Sequence, residues 1–110
     1  MAGNHQARAQ FQTGRTDVVS PESIWNNNPL KSSDVRRLFD TLAYRVSEIN
    51  DKKLREKALQ AIKDMQEWIG GISSPLGGFG LGRNTHQEKF YHDNKEYRID
   101  LELSGEIYPG

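Results

Sequence analysis

The residues best equipped for chemistry are arginines, aromatics and glycines in polar surroundings, and the chemistry they suit is binding an anion. Arg36 and Arg37 stand side by side in the first turn of a predicted helix. Positive charge there opposes the helix dipole, so helix stability does not account for the pair. A guanidinium fork matches a phosphate, and the indole of Trp25 offers a face to a planar base. Trp25 has an equally simple use as a plug at the end of the core, and packing is the commoner role of a large aromatic beside a helix start. Residues 70–85 (GGISSPLGGFGLGRNT) carry six glycines. The run from Gly78 to Arg83 can wrap backbone N–H groups around a phosphate, with Phe79 and Arg83 as side chains at hand. No strand precedes this run and no helix follows it, so it is neither a dinucleotide fingerprint nor a Walker loop, and its composition equally fits a flexible link.

Catalytic patterns are harder to find. His5, His86 and His92 have no i, i+4 mate, and the chain has no cysteine, which argues against a metal site. His86 and His92, near Glu88 and Lys89, make the acid and base of a ribonuclease-like centre only if strands aim both at one phosphate. No Ser-His-Asp arrangement is evident, and no spacing forces two carboxylates together. Binding is therefore expected rather than catalysis, with no cofactor and no metal.

The elements that must position these residues begin with residues 33–69. Val35, Leu38, Phe39, Leu42, Val46 and Ile49 recur at steps of three and four, and so do Leu54, Ala58, Ala61, Ile62, Met65 and Ile69. This predicts two amphipathic helices broken only at Asn50-Asp51, hence an antiparallel hairpin. Ser32 or Ser33 is the expected cap of the first helix, Asp51 that of the second, and Gly70-Gly71 its stop. In the tail, Tyr97, Ile99, Leu101 and Leu103 alternate with Arg98, Asp100, Glu102 and Ser104, which is strand periodicity. Glu88–His92 can pair with it through a turn at Asp93-Asn94-Lys95, and Gly105 allows a short last strand at Ile107-Tyr108. Residues 1–23 show neither period and are expected to be a mobile or exchanged arm.

The resulting expectation is an α+β chain: an antiparallel two-helix hairpin with a small C-terminal antiparallel β element and a mobile N-terminal arm. Its divisions are an arm at 1–23 and a body at 24–110, comprising the hairpin (33–69), the glycine-rich loop (70–85) and the β tail (86–110). The chain has 110 residues, 35% of them apolar, and a mean hydropathy of −0.81, which is lean for a monomer. A bare hairpin leaves Phe39, Leu59 and Trp68 without cover, so a homo-oligomer is expected. Fifteen basic residues balance fifteen acidic ones, with signs alternating along the helices, which argues against a protein that coats DNA or membrane. The lack of cysteine suits a reducing cytoplasm, and no segment has the apolar length of a signal peptide or a span.

The hairpin resembles the small phage sponge proteins that sequester the cyclic nucleotide signals of bacterial CBASS and Thoeris immunity. The features that carry the likeness are Trp25 and Pro29 before the first helix, Val35-Arg36 and Leu42-Ala43 within it, then Arg55-Glu56-Lys57 and Trp68 in the second. The likeness spans roughly residues 24–69, under half of the chain. It implies an anti-CBASS or anti-Thoeris role in the cytoplasm of an infected bacterial host. It also implies a cyclic oligonucleotide or cyclic ADP-ribose ligand held at the subunit junctions of a homo-oligomer such as a hexamer. Within that resemblance Trp25 matches the base-stacking aromatic and Arg36 the phosphate-holding residue; Arg37, Phe79 and Arg83 are further candidate ligand contacts on their own chemistry, outside the likeness. The second helix departs from the family: Arg55-Glu56-Lys57 stands closer to Trp68 than expected, and the later arginine is missing. The competing expectation is a structural or protein-interaction module that oligomerises through its helices and binds a partner through its β tail. A ribonuclease-like toxin acting through His92 ranks third.

Overall fold

The N-terminal segment is a strand. His5, Ala7, Ala9 and Phe11 are buried, while Gln6 and Arg8 point away and are exposed, so the period of two that defines a half-buried strand runs through His5–Thr13 (β1). The computed structural model describes residues 5–72, 83–105 and 107–108. After β1 come β2 (Thr16–Asp17), β3 (Glu22–Asn26), β4 (Leu30–Lys31), α1 (Ser32–Val46), α2 (Lys52–Ile72), β5 (Arg83–His92), β6 (Lys95–Ser104) and β7 (Ile107–Tyr108).

β1 and β6 lie side by side at the centre of an antiparallel sheet, with Ala7 opposite Leu103, Ala9 opposite Leu101 and Phe11 opposite Ile99. β5 flanks β6, and β2 and β3 together flank β1. Strand hairpins thus bracket the helix hairpin in the chain, and the helices lie across one face of the sheet: α1 over β1 and β3, α2 over β5 and β6. That face supplies Phe11, Ile99, Leu101 and Leu103 to a core shared with Val35, Phe39 and Leu42 of α1 and Ile62, Met65 and Ile69 of α2. Leu30 of β4 and Ile107 of β7 pair in parallel and are buried in the same core.

Turn chemistry sets the register. Asp93 and Asn94 have φ of 50° and 63°, the two left-handed residues of a two-residue hairpin turn, and this aligns His92 with Lys95. Asp51 caps α2, its Oδ1 accepting the Leu54 N–H at 3.1 Å, as its sequence position predicts. α1 begins one residue earlier than expected and is not capped by a serine. Ser32 is its first residue, and Asp34 Oδ2 accepts the Lys31 N–H at 3.1 Å. α2 runs through Gly70-Gly71 to Ile72 instead of stopping there.

These observations correct the expected architecture. The protein is α+β but strand-rich, a helix hairpin on a five-stranded sheet, and not a hairpin with a small β appendage. Residues 5–23, most of the expected mobile arm, are instead part of the sheet, because β1 is the strand on which both halves of the sheet join, and residues 1–4 lie outside the described residues. The physical premise for self-association changes with it. Phe39 is fully buried within one chain, and Leu59 and Trp68 pack against the same core. The sheet is the cover that a bare hairpin lacks, so core closure by itself calls for no second copy.

Candidate ligand-binding groove

α1 buries Val35, Leu38, Phe39 and Leu42, which turns Arg36, Arg37 and Asp40 outward. The antiparallel return of α2 brings Gln66 alongside. Its Nε2 donates to the Arg36 carbonyl at 2.9 Å and to Asp40 Oδ1 at 2.7 Å. Between the two helices lies an open groove of about 290 Å³ lined by Ser33, Arg36, Arg37, Asp40 and Gln66. Gln66 engages the lone carboxylate, whereas the guanidinium groups of Arg36 and Arg37 have no hydrogen bond or ion pair among the described residues. The groove thus presents two free planar forks and a hydroxyl, a donor set suited to phosphate oxygens. Tyr44, exposed on the same i, i+4 ridge as Arg36 and Asp40, stands about 12 Å along the helix from Arg36.

The other residues singled out in the sequence lie elsewhere. Trp25 is exposed on β3, but it pairs with Gln6 and so faces the side of the sheet away from the helices. One copy of the chain cannot close Trp25 and Arg36 on the same ligand. Arg83 is the first residue of β5, with its side chain outside the described part, and Phe79 lies outside the described residues. His86 and His92 both face the helices, but six residues of strand separate them by about 20 Å, too far to flank one phosphate. His86 stacks on Trp68 with ring centroids 3.8 Å apart, and its Nε2 lies 3.3 Å from Glu88 Oε1.

The helix-free face of the sheet carries a polar network that the alternation of β6 places opposite the core. Arg98 donates to Gln12 Oε1 at 2.8 Å and to the Gly14 carbonyl at 2.7 Å, while its Nε sits 3.7 Å from Asp100 Oδ2. Asp100 is buried beneath these longer side chains, and its Oδ1 is without a partner among the described residues. Burial pushes its carboxyl above the ordinary value of 3.8, against the opposing pull of Arg98. The folded chain therefore holds this proton more tightly than the unfolded chain. The associated stability is full below 3.8 and is lost as pH rises through the raised folded value. Asp100→Asn abolishes this dependence, so its stability relative to the wild type should increase across that interval, as read by urea unfolding at stepped pH.

No protein-family model, curated protein or solved structure matches this chain. Among the described residues, no helix is long and apolar enough to cross a membrane.

Proposed function

We propose that this protein is a non-enzymatic binding protein that sequesters a small phosphate-bearing messenger, a cyclic nucleotide or cyclic ADP-ribose, in the groove between α1 and α2. The observation that carries this reading is the pair of uncommitted guanidinium groups on one groove wall. Phosphate oxygens take the forks of Arg36 and Arg37, Ser33 supplies a further donor, Gln66 engages the Asp40 carboxylate through its own N–H, and Tyr44 offers its ring to a base further along the helix. Such a role requires affinity and abundance, and no bond need break. In an infected bacterial cell it would withhold the messenger from an immune effector. Trp25 takes part only where a second copy presents its β3 face to the groove, so a homo-oligomeric site remains part of the proposal.

Titration calorimetry with a cyclic dinucleotide and with cyclic ADP-ribose tests it. A charge-assisted hydrogen bond is worth about 1.5–3 kcal/mol, so Arg36→Ala should weaken binding by roughly 10- to 150-fold. The messenger released by heating the complex should be intact. Absence of binding to either class of messenger overturns the reading.

A second reading rests on a different observation. β5 pairs with β6 alone among the described residues, leaving its other edge open to strand addition by a protein partner. Removing the tail does not test this, because β6 is a central strand. Partner capture that survives the Arg36→Ala, Arg37→Ala double variant would favour it over the messenger reading.

A further inference from the structure

At the opposite end of the helix hairpin from the groove, two segments far apart in sequence bring together one imidazole and two carboxylates. His92 Nε2 lies 2.8 Å from Asp51 Oδ2 and 3.4 Å from Asp93 Oδ2. All three donor atoms fall within 4.8 Å of one another. We propose that Asp51, His92 and Asp93 form a binding site for a divalent transition-metal ion of the zinc type, which clamps the turn between the helices to the turn between β5 and β6.

The imidazole has one nitrogen facing two carboxylates, and a single N–H can be given fully to only one of them. Hydrogen bonding therefore leaves Asp93 underused, whereas a divalent ion in the middle serves both acids and the ring. Donor atoms around a tetrahedral zinc ion stand about 3.3 Å apart, given metal–ligand bonds near 2.0–2.1 Å. The two nitrogen-to-oxygen separations bracket that spacing, so the ion enters with small side-chain adjustments. One nitrogen and two oxygens suit zinc or cobalt(II), and three protein ligands leave a position for water.

Each donor is already oriented by the fold. Asp51 commits Oδ1 to the Leu54 N–H at the start of α2, which leaves Oδ2 to the site. The His92 ring is buried, with Tyr97 packed edge-on at 6.3 Å. Asp93 sits in the left-handed turn and is largely exposed, so the ion has a path from solvent. On binding, the ring is a neutral ligand through Nε2, its proton carried on Nδ1 after exchange with water. Sequence spacing conceals the site, because 41 residues separate Asp51 from His92.

The test uses the full chain stripped with a chelator and titrated with zinc chloride alone. One equivalent should bind, and the melting temperature should rise by about 5 °C or more at saturation. Cobalt(II) should develop visible absorption characteristic of a tetrahedral site. Asp93→Asn is the decisive variant: asparagine accepts the left-handed backbone, and the position is exposed, so the metal-free protein should melt at the wild-type temperature while losing the zinc response. No binding, or an equal response in Asp93→Asn, would overturn the proposal.

Discussion

Phe11→Ala is expected to destabilise the protein by about 3–5 kcal/mol, a large share of the roughly 5–15 kcal/mol that holds a domain of this size. Phe11 is fully buried, lies opposite Ile99 on β6, and has its ring centroid 5.9 Å from Phe90 and 5.7 Å from Tyr97. Truncation removes the common neighbour of two rings on the β5–β6 hairpin, which themselves stack at 5.6 Å. The cavity opens where both halves of the sheet meet, so the backbone can collapse into it only by disturbing the β1–β6 pairing. Guanidinium unfolding measures the effect, and an unchanged m-value would assign it to native-state stability. A loss below about 1 kcal/mol would mean that the Phe11 ring is not packed in this core and that β1 does not hold its central place.

Gly105→Ala should destabilise by about 2–5 kcal/mol through two additive causes, backbone strain and overpacking. Gly105 has φ of +88°, which a Cβ disfavours, and the added methyl would lie 2.2 Å from Nδ1 and 2.9 Å from Cγ of His5. The ring cannot easily withdraw, because His5 is buried at the start of β1. Neither residue touches the proposed groove, so the change should act on folding alone. A double-mutant cycle with His5→Ala separates the causes: the double variant should recover the overpacking part and retain the backbone part. Equal losses in the presence and absence of the His5 ring would show that the contact is not made.

How much of this was legible beforehand differs from element to element. Both helices follow from their apolar steps, and β6 follows from Tyr97, Ile99, Leu101 and Leu103, because large side chains at a regular period have only one way to be buried together. β1 has the same period of two, but its inward residues include Ala7 and Ala9, which carry little apolar signal and low strand propensity. They are small where β1 pairs with Leu101 and Leu103. That pairing is a long-range fact, and local propensity contains none of it. β1 lies under α1 and helps to cover Phe39, while Trp68 on α2 stacks on His86 of β5, so the expectation that copies must associate to bury these residues fails once the strands dock on the helices.

The candidate sites divide along the same line. Arg36 and Arg37 were recognisable because their charge works against their own helix, a local conflict readable from position alone. The free state of their side chains, and the groove that Gln66 closes, depend on how α2 returns along α1. Trp25 could not be assigned a face until β3 was registered against β1, and that register turns its indole away from the helices. The cluster at Asp51, His92 and Asp93 had no sequence signal at all, since no spacing rule joins an interhelical turn to a hairpin turn. Sequence by itself determined the helices, the C-terminal strands and the turn residues, because side-chain period and backbone preference act within a few residues. Tertiary structure decided the central strand, the closure of the core and the company each polar group keeps, because those depend on contacts that exist only once distant segments have met.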